Sequence, residues 1–289
     1  MIPSAPPSSR SDLAALLEPL AALALSAGER ILVHYRPDVA VSRKGDGSPV
    51  TAADQEAETL ILEGLRGLAP GIPIVAEEEA AAGRVPAACA RFFLVDPLDG
   101  TREFVGGNGE FTVNIALIED GEPVLGVVLA PALRRLFAGS PSGAWRREAD
   151  GPLVPMRVRP APAALTAVGS RSHGSPETAG FLDGLPVAAF AACGSSLKFC
   201  LLAAGEADLY PRFGRTMEWD TAAGDAILRA AGGRVTTCDG RPLVYGKRGR
   251  PDETDFANPD FLAFGDPALV RLACVDARPA APRAGRSRA

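Results

Sequence analysis

Apolar positions recur at helical spacing over residues 12–35 and again over 52–68, which predicts two amphipathic helices before any strand. The period then changes. Residues 71–76 and the run Arg91-Phe92-Phe93-Leu94-Val95 are short apolar segments suited to buried strands, and both end in carboxylates: Glu77-Glu78-Glu79 after the first, Asp96 and Asp99 after the second. Residues 111–119 and 124–130 flank Asp120-Gly121-Glu122-Pro123, a hairpin signature. Beyond about Pro155 strands at 165–169, 187–191, 207–210 and 233–237 alternate with helices at 175–182, 196–204 and 221–231. Such alternation predicts layered α/β packing, with functional residues at strand ends and helix N-termini. The expected organisation is a tail at 1–11, an N-terminal metal-binding lobe at 12–155, a C-terminal α/β substrate lobe at 156–275, and a basic tail at 276–289. Pro and Ser in the first tail, and Arg among Ala, Pro and Gly in the last, predict disorder there.

Composition narrows the function. A chain of 289 residues with 47% apolar content can bury the core of one enzyme with two packed lobes. The net charge of −5 argues against nucleic acid as a partner, because duplex binding needs clustered Lys and Arg. The 5 cysteines contain no Cys-x-x-Cys pair, which fits a reducing cytoplasm; peripheral contact of the basic tail with the inner membrane is left open. No run is long enough for a transmembrane segment, and the stretch 13–27 reads as helix rather than signal peptide because Glu18 interrupts it. Oligomeric state leaves no trace in the sequence.

The candidate chemistry lies in the carboxylates. In a continuing strand Asp96 and Asp99 would point to opposite faces, so their convergence needs the ladder to end between them, and Pro97 has no N–H to continue it. Gly100 lets backbone approach a ligand, and Thr101 offers a hydroxyl to orient water. Hard oxygen ligands of this kind suit Mg²⁺, although the same residues also read as a turn into an Asp-capped helix. The Glu77-Glu78-Glu79 carboxylates repel one another unless solvated or bound to a cation. In Trp219-Asp220-Thr221-Ala222-Ala223-Gly224 an Asp stands at a helix start, as metal ligand or plain N-cap. The segment from Lys44 to Asp54 is turn-rich and puts a further Asp at a helix entrance.

Together, Asp96-Pro97-Leu98-Asp99-Gly100-Thr101 and Trp219-Asp220-Thr221-Ala222-Ala223-Gly224 resemble the two signatures of the inositol monophosphatase superfamily of Mg²⁺-dependent phosphomonoesterases. The segments at 44–54, 108–118, 170–173, 194–200 and 210–214 look like its bacterial 3′(2′),5′-bisphosphate nucleotidase branch. The resemblance runs from about Leu13 to Phe264. It implies an αβαβα sandwich of the inositol monophosphatase/fructose bisphosphatase type and two or three Mg²⁺ ions. Glu77, Asp96, the Leu98 carbonyl, Asp99 and Asp220 match ligand positions, with Glu78 the alternative to Glu77, because Ala76-Glu77-Glu78-Glu79 departs from the usual pattern. Asp54 and Thr101 match the pair that orients the attacking water, and Gly100 and Thr101 would donate backbone N–H groups to the phosphate. Substrate contact, also implied for Glu77, Leu98, Asp99 and Asp220, extends to His173, Ser195, Lys198 and Arg212. The implied partner is a nucleotide bisphosphate; an inositol or sugar phosphate, or a binding protein without turnover, are the other readings.

Overall fold

Helical spacing of apolar residues produces α1 (Arg10–His34) and α2 (Ala52–Leu68) in the computed structural model, which describes residues 10–36, 41–43, 49–171 and 174–276. Between them lies a short antiparallel pair, β1 (Ser42–Arg43) and β2 (Pro49–Val50). Thr51 starts α2 because its hydroxyl accepts the Ala53 N–H while its own N–H is taken by Asp54, a reciprocal cap. The next segment holds β3 (Ile74–Ala76), α3 (Glu77–Ala81), β4 (Arg91–Asp99), α4 (Thr101–Val105), β5 (Thr112–Glu119), β6 (Glu122–Ala130), β7 (Arg135–Ser140), β8 (Gly143–Glu148) and β9 (Val154–Met156). After it come β10 (Leu165–Ser170), α5 (Pro176–Asp183), β11 (Val187–Cys193), α6 (Leu197–Ala203), β12 (Leu209–Arg212), α7 (Glu218–Ala230), β13 (Arg234–Thr237), β14 (Phe261–Phe264) and α8 (Leu269–Asp276).

Among the described residues a seven-stranded sheet runs in the order β3-β4-β5-β6-β7-β8-β9, parallel only between β3 and β4. A five-stranded sheet runs β11-β10-β12-β14-β13, with β10 parallel to both its neighbours. Both faces of the larger sheet are apolar, so each must be covered. One face packs Phe93, Val113, Ile115 and Leu129 against Leu20, Ile31, Ile61 and Leu65 of α1 and α2. On the other, Phe92, Leu94, Val128 and Phe137 join Phe199 of α6, Ile227 of α7, and Val235 and Phe261 of the smaller sheet. The far side of that sheet buries Leu165, Leu209, Leu262 and Phe264 against Phe181 of α5 and Leu269 of α8. The result is the expected αβαβα layering. α7 sits so close to the larger sheet that a Cβ on Gly126 would lie 2.3 Å from the Ala223 carbonyl oxygen, and one on Gly139 would lie 2.6 Å from the Ile227 Cα.

Several local expectations change. The hairpin turn is two residues, Asp120 (φ 50°) and Gly121 (φ 80°), so β6 starts at Glu122; both central residues of a twist-matched turn lie in the left-handed region. The strands β7, β8, β9 and β14 have no counterpart in the sequence reading. β12 lies two residues later than expected, at Leu209–Arg212. The border expected at 155 falls within β9, and α7 from the C-terminal half covers the larger sheet, so both halves share one buried layer. The tails lie outside the described residues, apart from Arg10 and Ser11 in α1 and Asp276 in α8. No helix among the described residues is long and apolar enough to cross a membrane.

Candidate active site

β4 does not end at Pro97. It runs on to Asp99 through a β-bulge, because Asp96 pairs with Asn114 and Asp99 with Thr112, three steps on one strand facing two on the other. The extra residue reverses the side-chain alternation, so Asp96 and Asp99 share the face of Phe92 and Leu94, toward α6 and α7. Convergence thus comes from a bulge that accommodates Pro97, which has no N–H to leave unpaired. The Asp96 Oδ1 accepts the Leu98 N–H at 3.0 Å. Asp99 Oδ2 accepts the Ser196 N–H at 2.6 Å, and the Ser196 hydroxyl donates to Asn114 Oδ1 at 2.7 Å while accepting from Thr112 at 2.8 Å. A ligand candidate of the larger sheet is therefore fixed by the start of α6.

Gly100, at φ 89°, turns the chain from β4 into α4. Thr101 follows, with its Oγ1 3.4 Å from both the Leu98 carbonyl and Asp54 Oδ1. Asp54 is 2% exposed, and its other oxygen accepts the Thr51 N–H and hydroxyl at 2.7 Å each. The carboxylate is held from one side and presents the remaining oxygen to Thr101.

The acidic triplet is not a loop. Glu77, Glu78 and Glu79 form the first turn of α3, where the helix dipole favours negative charge. Ala76 at the N-cap has no side-chain oxygen, and Glu58 of α2 accepts the Glu78 and Glu79 N–H groups instead, at 2.8 and 2.9 Å. Burial pushes the Glu58 carboxyl up to about 7 against the pull of those bonds. Asp220 stands in the first turn of α7, past its cap: the helix begins at Glu218, and Asp220 Oδ2 accepts the Met217 N–H at 2.8 Å.

These ends meet at a cavity of about 460 Å³. Glu77, Asp99, Gly100, Thr101 and Asp220 line it together with Ser195, Lys198 and Arg212. Glu78 is not among the lining residues, which favours Glu77 as the first ligand candidate. Asp96 and Leu98, each 1% exposed, also stand outside the lining. Burial raises Asp99 to about 6, with Lys198 opposing; burial, then Asp99 and Glu77, raise Asp220 well above its ordinary range. Carboxylates close enough that Asp99 and Glu77 raise the proton affinity of Asp220 are a donor set suited to a hard cation. Among the described residues, however, no three acidic or other ligating side chains are gathered into a closed metal cage.

The second-half candidates are more committed to protein contacts than expected. Ser195, at φ 44°, donates its hydroxyl to the Glu110 carbonyl at 3.0 Å. Lys198 is 4% exposed, and its ammonium donates to the carbonyls of Cys193, at 3.2 Å, and Ser195. Burial lowers its pKa, with Asp99 opposing. Arg212 Nη2 donates to the Arg215 carbonyl at 3.1 Å, whereas its buried Nε has no partner. His173 lies outside the described residues, as does the segment from Lys44 to Ser48. Sequence reasoning missed Glu58 and Glu110. Glu110 grips Arg171 through two bonds of 2.8 Å and accepts the Gly194 N–H at 2.8 Å, joining the segment before β5 to the loop before α6. Glu58 carried a readable signal, since it follows Asp54 by four residues on one helix face.

Residues 12–255 match the inositol monophosphatase family. The chain is 48% identical over 248 residues to the 3′(2′),5′-bisphosphate nucleotidase CysQ of Salmonella typhimurium, covering 85% of this chain and 98% of that one. It superposes on CysQ from Bacteroides thetaiotaomicron with a TM-score of 0.70 at 37% identity, covering 86% and 96% of the two chains. An inositol monophosphatase from Anabaena gives a TM-score of 0.71 at 26% identity over 91% and 95%.

Proposed function

The chain belongs to the inositol monophosphatase family, and from that premise we propose that it is a 3′(2′),5′-bisphosphate nucleotidase, converting adenosine 3′,5′-bisphosphate and water to AMP and phosphate. The observation that carries this reading is one cavity lined by the carboxylates Glu77, Asp99 and Asp220 together with Lys198 and Arg212. A phosphate monoester bearing a second phosphate needs both. Glu77, Asp96, the Leu98 carbonyl, Asp99 and Asp220 would hold two or three Mg²⁺ ions, which neutralise phosphoryl charge and make water more acidic.

The chain's own groups do the positioning. An attacking water donates to Thr101 Oγ1, whose own proton points to Asp54 Oδ1, so the pair orients the water and takes up its proton. The N–H groups at the start of α4 face the scissile phosphate, with Gly100 allowing close backbone approach. Arg212, which lines the cavity, receives the phosphate that is not cleaved. Lys198 supplies positive charge to the cavity wall while bracing the 193–195 loop. Attachment to a membrane finds no support among the described residues. The test is product analysis: purified protein with Mg²⁺ should release the 3′-phosphate and leave AMP, and chelating the divalent cation should abolish release. Release of the 5′-phosphate, or turnover indifferent to chelation, would contradict the assignment.

A further inference from the structure

α3 is a helix of 5 residues whose N-cap, Ala76, is extended (φ −120°, ψ 151°) and makes no side-chain cap bond. In most helices the capping side chain satisfies the N–H groups at the second and third helical positions. Here these belong to Glu78 and Glu79, and the cap comes from another element, with one Glu58 oxygen on each at 2.8 and 2.9 Å. Glu58 is 4% exposed and lies one helical turn after Asp54 on α2. A single helix face thus serves both Thr101 and the first turn of α3. Three consecutive carboxylates at a five-residue helix would otherwise leave its start free to fray, and with it the position of Glu77.

We propose that Glu58 is a positioning residue for the metal site: by capping α3 from a distance it fixes Glu77 at the cavity. The cap also sets the register of the triplet, keeping Glu78 and Glu79 with their N–H groups on α2. This inference rests on the reading of Glu77 as a ligand, which is tested separately below.

The experiment is calorimetric Mg²⁺ binding to the full chain, with thermal unfolding of the metal-free protein alongside. Glu58→Gln keeps the size but turns an amide NH₂ toward one of the two N–H groups, so half of the cap is lost. Mg²⁺ affinity should fall about 10- to 100-fold, the scale on which residues supporting a ligand act. Asp208→Asn provides the structural comparison, because Asp208 is equally buried and bonds the Thr166 N–H and Arg159 far from the acidic residues. It should lower the melting temperature and leave Mg²⁺ affinity unchanged. Adding Ala76→Ser to Glu58→Gln supplies a local cap at a position with the right backbone geometry, and should restore affinity even if the single variant is too unstable to measure. Glu77→Gln tests the premise. If it binds Mg²⁺ as the parent does, both the ligand assignment and this inference fall. If it loses affinity while Glu58→Gln does not, or if Ala76→Ser fails to rescue, the positioning role alone is overturned.

Discussion

Burial raises the proton affinity of Asp99, with Glu77 adding to it, and burial, then Asp99 and Glu77, raise that of Asp220, so each should bind a cation at the expense of a proton. The sign follows from Asp99, raised to about 6: near pH 6 part of it is protonated before the cation arrives, and near pH 8 it is already ionised. Mg²⁺ binding, followed in two buffers of different ionisation enthalpy, should release protons at pH 6 and release fewer at pH 8; the same release at both would contradict this. Asp99→Asn should cut turnover by orders of magnitude and weaken Mg²⁺ while the fold survives, because the Ser196 N–H keeps an acceptor. Arg212→Ala and Lys198→Ala should differ in kind. Arg212 has a buried donor to spare, so its loss should cost about 1.5–3 kcal/mol with a bisphosphate nucleotide and little with inositol 1-phosphate. Lys198 also holds the Cys193 and Ser195 carbonyls, so its loss should lower the melting temperature and slow both substrates. Equal effects from the two variants would undo that distinction. The acidic residues were legible because their types and order carry the chemistry. That Lys198 is structural as well was not, because its partners are backbone carbonyls that any sequence would have.

α7 joins the site to the core. It carries Asp220 in its first turn and rests directly on Gly126 and Gly139. A methyl group at Gly126 would stand 2.3 Å from the Ala223 carbonyl oxygen, so Gly126→Ala must push the helix away from the sheet. Overpacking of this kind costs about 1–3 kcal/mol, and the displaced helix should also lower Mg²⁺ affinity. Denaturant unfolding with Mg²⁺ titration checks both, and full stability with full affinity would show that the contact yields. The span of α2 was read residue for residue because its period is sustained; its cap at Thr51 emerges only in the structure. β7 and β8 were missed because β7 has only Leu136, Phe137 and Ala138 between Arg135 and Gly139, and Arg146 and Arg147 interrupt the apolar pattern of β8. The bulge in β4 was missed for another reason: it is a property of the pairing with β5, which no reading of β4 alone contains. α3 was hidden because its cap comes from α2 rather than from its own sequence.

At the scale of the molecule, the layers explain why an acidic site and its basic counterpart lie in one cavity. The inner layer of α6 and α7 is shared by both sheets, so the end of β4, the start of α6 and the start of α7 converge. The sequence made the layered class legible through its alternation of strands and helices, but not the shared layer, which depends on which helices lie between the sheets. On the proposed function, this cavity selects a substrate with two phosphates. The most direct measurement compares kcat/KM, at saturating Mg²⁺, for adenosine 3′,5′-bisphosphate and inositol 1-phosphate. One added charge-assisted contact predicts an advantage of at least about tenfold for the bisphosphate; equal values, or preference for inositol 1-phosphate, would contradict the account.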